Sequence, residues 1–361
     1  MKFSIELPFS EIVFNNAQKK HKEYFKSLFF TSGKIHAELK YKITVNFRKI
    51  SLVTDKRLYL EEDTIAWDGN LYILDTKGNK LKLDFDLSEN DNFVLSVEPG
   101  FDLYFLYNFI IEPLLIIWAA GYYVLYIHSS ALWKNGQGYI FPAWRHTGKT
   151  SSIFSLTGEK IKFMGDDFCV LYDSKVYLYP KNINIFSYNF ETYPWLYSRL
   201  PHMLALRIKL SVYLKKLLFW ISQRLSGSLS KVFYRLSELT EISTNTKVTP
   251  RQLGMSTQTV APFAKAFFVT KADIRSKKAK KLDLQAIKQK LLSITVYEIG
   301  DFLAIYQKYK YLYPENRHEI IDSFEANYLK AVEKNLKEAY ETKITSLLNK
   351  DAYIDNDFFE D

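Results

Sequence analysis

A chain of 361 residues with 47% hydrophobic content can bury a sizeable core, as one large domain or two coupled ones. Its formal net charge is +9, and its single cysteine, Cys169, excludes an internal disulfide. Six histidines and one cysteine show no metal-ligand spacing, so no structural zinc site is expected.

The first ten residues contain an early acid, Glu6, and lack a continuous apolar core, so no secretory signal is expected there. Residues 1–100 then show short alternating runs, such as Lys34 to Phe47 and Lys80 to Asp86. Turn signals Asp68-Gly-Asn70 and Lys77-Gly-Asn79 separate them. Period-two alternation with such turns predicts antiparallel hairpins in a β-rich N-terminal part that extends the central sheet. The stretch Phe101 to Tyr122 is strongly apolar but interrupted by Asp102, Asn108, Glu112 and Pro113. Its clean apolar run falls short of the ~20 residues a spanning helix needs, so it is expected to be a buried helix.

Chemistry concentrates in the next segment. Tyr139 to Phe141 reads as a strand running into Pro142-Ala-Trp-Arg-His-Thr-Gly-Lys-Thr150, and Ser151 to Leu156 can continue as a helix. The order strand, loop, Gly-Lys-Thr, helix is that of a phosphate-binding loop. Backbone amides from Ala143 through Trp144, Arg145, His146 and Thr147 to Ser151 would surround phosphate oxygens. Lys149 would reach the β/γ-phosphates, and the Thr150 hydroxyl would ligate Mg²⁺. The usual pattern places glycine where Ala143 stands, and a methyl there narrows the backbone and crowds a phosphate. Asp166-Asp167, after Gly165, offers one carboxylate for a metal and one for a substrate hydroxyl. Adjacent strand residues point to opposite sides, so both acids serve one site only if the chain bends, which Gly165 permits. The competing readings are a hydrated turn for the acids and a hydrogen-bonded core histidine for His128. Cys169 follows in an apolar run and is expected to be buried.

The stretch Tyr123 to Trp133, the turn Asn135-Gly-Gln-Gly138, the loop and Gly165-Asp-Asp167 together resemble the nucleotide-binding domain of HPr kinase/phosphorylase. The resemblance is closer still to HPr-kinase-related proteins encoded with peptide-modification and polysaccharide genes. Lys149 falls 21 residues after His128 and Asp166 falls 17 after Lys149, which agrees with that family's arrangement. The likeness is specific over about 122–180 and looser over 245–272. It implies an α/β fold with a P-loop kinase core of the HPr kinase C-terminal-domain type. It also implies ATP and Mg²⁺, with Asp166 as the base, Lys149 neutralising phosphate charge, Thr150 and Asp167 holding the metal, and His128 near the γ-phosphate. Ala143 and His146 stand where the family loop often has glycine, and the family's downstream glycine-rich signature is not found. The protein substrate HPr therefore does not carry over.

Residues 168–179 read as a hairpin around Asp173-Ser174. Between 194 and 250 nine Lys and Arg face only Glu238 and Glu241, so this segment carries most of the net charge. Its apolar spacing is helical, and Ser226-Gly-Ser228 is expected to break it into two helices. Such a basic helical insertion is a solvated face, a lid gathering an acidic substrate, or a helix for an anionic membrane surface over 194–245. No nucleic-acid motif accompanies the charge, so no nucleic-acid partner is expected. A late strand is expected at 262–270, a basic exposed loop at 271–281, helices at 284–297 and 316–349, and an acidic tail from 351. The resulting division is 1–100 β-rich, 101–193 nucleotide-binding core, 194–250 insertion or lid, and 251–361 the rest of the core with C-terminal helices. The expected activity is a cytoplasmic ATP-dependent kinase acting on a serine-like hydroxyl of a peptide or small metabolite, with homo-oligomerisation left open. The alternatives are a catalytically degenerate nucleotide-binding regulator and a kinase working at a membrane surface.

Overall fold

The computed structural model describes residues 1–31, 37–52, 57–85, 91–145, 147–156, 160–244, 246–272, 279–316 and 318–344. Mixed α/β architecture is built on an eight-stranded sheet, a nine-stranded sheet and a two-stranded ribbon. The N-terminal strands form the eight-stranded sheet by themselves and do not extend the central one, contrary to the sequence expectation. Nor is that sheet all antiparallel. Tyr41–Phe47 lies parallel to both Ser10–Asn15 and Asn92–Val97. Its inward residues, Tyr41, Ile43, Val45 and Phe47, alternate with half-exposed ones, so one face of the sheet is committed to the core. The Asp68-Gly69 turn closes a hairpin with positive φ at both residues, as a tight two-residue turn requires. Parts of the expected runs at 34–47 and 80–86, namely residues 34–36 and 86, lie outside the described residues.

The sheets share one core because the helical stretch Leu103 to Gly121 lies in the same apolar cluster as residues from each. Trp118 meets Phe93 of the N-terminal sheet at 5.1 Å and His318 at 5.0 Å. Among the described residues this is the one helix apolar and long enough to cross a membrane, and most of it is buried within the protein. Its Leu106–Ile111 portion is π-helical. The long helix Leu284–Leu312 also bridges the two parts. Near its C-terminal end Lys308 pairs with Glu61 at 2.6 Å, and Tyr306 and Tyr309 pack on Phe85.

The nine-stranded sheet sets the geometry of the site. Ser129–Lys134 is antiparallel to both Gln137–Pro142 and Ile161–Gly165. The last two strands therefore run the same way and end at one edge, where Ser129–Lys134 begins. Three loops meet there: the one after Pro142, the one after Gly165, and the His128 connection. The twelve-residue strand Val260–Lys271 continues the sheet, parallel to Gln137–Pro142.

C-terminal helices differ from expectation. The first runs on from 297 to Leu312, while the 316–349 span divides into Glu319–Asp322, Phe324–Asn335 and then a strand, Ala339–Ile344. That strand pairs in parallel with Ala266 to Lys271, and this open sheet edge overrides the helical tendency of the sequence. Of the 271–281 loop, residues 273–278 lie outside the described residues, as do 345–349 and the acidic tail. The insertion forms two helices, His202–Arg224 and Gly227–Thr244, and Gly227 takes a positive φ at the break.

Trp118→Ala should cost about 3–5 kcal/mol, since a buried indole leaves a large cavity among rigid neighbours. A urea denaturation midpoint close to that of the unaltered protein would mean the two sheets do not depend on this contact.

Candidate active site

The loop from Ala143 to Thr150 is held by its own chain and by the long helix. Gly148 takes φ 104°, a left-handed conformation open to glycine, and caps the helix Lys149–Ser155. Only two turns of that helix are described, so an anion there would depend on loop groups and Lys149 more than on a helix dipole. Ala143 has no positive φ, and its methyl is packed with Leu132, Phe141 and Phe267. The expected crowding by that methyl is thus relieved by the core. Trp144 turns onto Tyr297, with ring centroids 4.7 Å apart, and Arg145 grips Glu298 through Nε at 2.9 Å and Nη2 at 2.6 Å. The Thr147 hydroxyl donates to the Trp144 carbonyl at 2.6 Å, and His146 lies outside the described residues.

Lys149 is nearly buried, and its ammonium donates to the carbonyls of Ala143 and Trp144 at 3.3 and 3.4 Å. Burial lowers its pKa, while nearby Asp167, Asp166 and Glu298 oppose that shift. The Thr150 hydroxyl donates to Asp166, 3.1 Å from each carboxylate oxygen. Thr150 is therefore paired with Asp166 and not with Asp167, its expected metal-binding companion.

The chain bends between the acids, but not where expected. Asp167 itself takes φ 75°, in a region that aspartate tolerates better than most residues. Gly165 serves a different need: a Cβ there would sit 2.5 Å from the Phe168 carbonyl oxygen. Asp166 stays inside, and burial with Asp167 beside it raises its pKa to about 6. Asp167 opens toward the cavity with a side chain 36% exposed. Burial would raise its pKa, but Lys181 at 2.8 Å and His128 at 3.3 Å hold it well below the usual carboxylate range.

His128 completes a chain of alternating charges. Its Nδ1 lies 3.0 Å from Glu298, though outside hydrogen-bond geometry, while Nε2 meets Asp167. Burial lowers its pKa, but the two carboxylates outweigh burial and leave it raised. Glu298 feels burial too, yet His128 and Arg145 bring it down to about 2. At the other end Lys181 also binds Glu112 at 2.7 Å, which in turn accepts from the Tyr107 hydroxyl at 2.8 Å. Glu112, Lys181, Asp167, His128, Glu298 and Arg145 thus form one continuous row. Sequence reading missed Lys181, Glu112 and Glu298, which come from distant segments and carry no motif.

These groups line a cavity of about 480 Å³ together with Gly148, Lys149, Thr150, Ser151 and Asp166. That size falls in the range of small-molecule sites. The cavity is also lined by Asn108 and Phe109 of the π-helical segment and by Phe186 and Tyr188. The buried carboxamide oxygens of Asn182 and Asn184 have no hydrogen-bond partner among the described residues. Among the described residues of the hairpin none lines the cavity; from its flanks come Tyr188 and Lys247. Cys169 is buried as expected, with its pKa raised to about 12 by burial, and contributes only a contact to Ser129 at 2.9 Å.

Among the described residues no three His, Cys, Asp or Glu side chains converge as a metal cluster. Comparison with known protein families and with curated proteins finds no match. The motif residues therefore carry the resemblance to HPr-kinase-related proteins unaided.

A carboxyl whose folded pKa lies above its unfolded value destabilises the fold once both states ionise. For Asp166 the folded state holds the extra proton between pH ~4 and ~6, so stability falls as pH rises through that window. Asp166→Asn, in chelator-treated protein, should flatten that slope and gain on the order of 3 kcal/mol above pH ~6 relative to pH ~4. Thermal melts of both proteins across this range check it, and parallel pH profiles would remove the assignment.

Proposed function

We propose that the protein is an ATP-dependent phosphotransferase with a P-loop kinase core of the HPr-kinase-like type, acting in the cytoplasm on a hydroxyl of a peptide or small metabolite. One observation carries this reading: the Gly148–Ser151 loop and both acids face a single cavity at the ends of codirectional strands. In open α/β sheets ligands bind at such strand ends.

Lys149 would exchange two carbonyl contacts for phosphate oxygens, whose charge favours its ammonium form despite burial. Thr150 and Asp166 bring hard oxygen donors to one point and would hold Mg²⁺. When bound, Mg²⁺ would offset charge developing on the transferred phosphoryl group. Asp167 is the better placed base. It opens to the cavity, and Lys181 and His128 both keep it ionised and orient it. This exchanges the roles that the family resemblance implies for the two acids. The acceptor hydroxyl would lose its proton to Asp167 as its oxygen attacks the γ-phosphorus in line, while the bond from that phosphorus to the β,γ-bridging oxygen breaks and ADP leaves. Phe109, Phe186 and Tyr188 offer apolar surface for the base or acceptor.

The alternative of a nucleotide-binding regulator without turnover draws support from one fact. Both oxygens of Asp167 are already engaged, Oδ1 by His128 and Oδ2 by Lys181.

Calorimetry with ADP and Mg²⁺, and ADP formation from MgATP in the presence of hydroxyl-bearing peptides and small metabolites, separate these readings. Lys149→Ala should weaken ADP at least tenfold, about 1.4 kcal/mol. Asp167→Asn should keep ADP affinity and lose turnover by about 10²-fold or more. Asp166→Asn should abolish the Mg²⁺ dependence of binding. Failure of the unaltered protein to bind either nucleotide would end the phosphotransferase reading, and binding without turnover would favour the regulator.

A further inference from the structure

The hairpin of helices His202–Arg224 and Gly227–Thr244 inverts the usual surface pattern. A helix lying on a protein normally buries its apolar face and shows water a polar one. Here the first helix anchors through small or medium residues, Ala205, Ile208 and Val212, which join the cluster holding Val248 and Leu253. Its opposite face repeats large apolar residues at helical spacing: Met203, Leu206, Leu210, Tyr213, Leu217 and Trp220. Leu210 and Tyr213 are 61% and 69% exposed. The second helix does the same through Leu229, Val232, Leu236 and Leu239, the first and last being 60% and 61% exposed. Small residues contribute to its contact with the first helix, the Ser230 hydroxyl donating to the Ser222 carbonyl at 2.8 Å with Ser237 also enclosed, and Tyr234 lies beside Phe219 with ring centroids 6.4 Å apart.

Charge flanks these stripes. On a helical projection Arg207 lies to one side of the first stripe, Lys209 and Lys216 to the other, while Lys231 and Arg235 border the second. The segment 202–244 holds seven Lys and Arg against Glu238 and Glu241; of the flanking cations Lys216 pairs with Glu191 at 3.3 Å, and Lys209 lies over the Tyr197 ring. Aromatic groups of amphipathic character, Tyr213, Trp220 and Tyr234, sit among them, 69%, 51% and 45% exposed. Exposed apolar stripes bordered by cations, with Tyr and Trp near the boundary, match a headgroup layer: acyl chains take the stripe and lipid phosphates or carboxylates take the cations.

We propose that the helical hairpin 202–244 docks the protein on an anionic lipid membrane. A second copy of the chain is the weaker occupant, because an isologous contact would set these cations against themselves. The docking surface is separate from the cavity, which takes no described residue of the hairpin, so it brings the site to a surface without closing it.

Flotation of the full chain with vesicles tests this without nucleotide, so its outcome is independent of the phosphotransferase reading. The protein should float with phosphatidylcholine vesicles containing phosphatidylserine, at least tenfold more than with phosphatidylcholine alone, and salt should weaken it. The triple variant Lys209→Glu, Lys231→Glu, Arg235→Glu should lose at least tenfold of that binding. So should Leu210→Gln, Leu217→Gln, Leu239→Gln, whose substitutions lie on exposed positions and should leave the circular dichroism spectrum unchanged. Vesicles should shift tryptophan emission to the blue in the unaltered protein and less in Trp220→Phe. Equal binding to both vesicle types, or binding to neither, overturns the proposal. A dimer in gel filtration that the leucine variant disperses, with no vesicle binding, would assign the stripes to contact between copies.

Discussion

The row Glu112, Lys181, Asp167, His128, Glu298, Arg145 is the constraint on which the rest of the site depends. Each interior member is held between two opposite charges, so removing any one leaves a neighbour uncompensated in a poorly solvated place. Breaking a buried ion pair costs more than never having built it, because the surviving charge has lost its water. The row joins the apolar helix, the segment after the 168–179 hairpin, the bend after Gly165, the His128 connection, the long C-terminal helix and the phosphate-type loop. Six pieces of chain are thereby brought to one register. The long helix also grips the N-terminal sheet through Lys308 and the Phe85 contacts, so that sheet supports the site without contributing to it.

Two adjacent carboxylates acquire different chemistry from this arrangement. Asp166 faces inward, with Thr150 its hydrogen-bond donor, and is pushed up to about 6. Asp167 faces outward between two cations and is pushed down. Neighbouring acids whose environments drive their pKa values apart are a signature of divided labour. The division arises from one backbone event, the left-handed turn at Asp167, which sends the two side chains to different partners.

The loop, both acids and His128 were legible in the sequence because their spacing is short and their residue types are chemically specific. So were the hairpin around Asp173-Ser174 and the helix break at Gly227, where local turn chemistry decides. What stayed hidden was non-local. Glu298 lies in an ordinary helical run and becomes part of the site only through its contact with His128 and Arg145. The C-terminal strand Ala339–Ile344 depends on an open edge over 70 residues earlier in the chain. Parallel pairing in the N-terminal sheet likewise cannot be inferred from alternation, which is the same for parallel and antiparallel neighbours. The bend was foreseen, but attributed to Gly165 when a close carbonyl contact explains that glycine and Asp167 makes the turn.

The basic insertion shows why charge alone is a poor guide to purpose. A lid that gathers an acidic substrate would have to present its cations to the cavity, yet the groups reaching it come from the flanks, with Lys247 as the cation. The hairpin instead turns leucines and aromatics outward, an arrangement that lowers solubility and adds nothing to the stability of the isolated chain. The first helix is held against the body by Ala205, Ile208 and Val212 with Leu204 partly buried beside them, and not by the aromatic and leucine residues of its exposed stripe. Among the described residues nothing covers those side chains. The cations bordering them select a negatively charged surface over a neutral one.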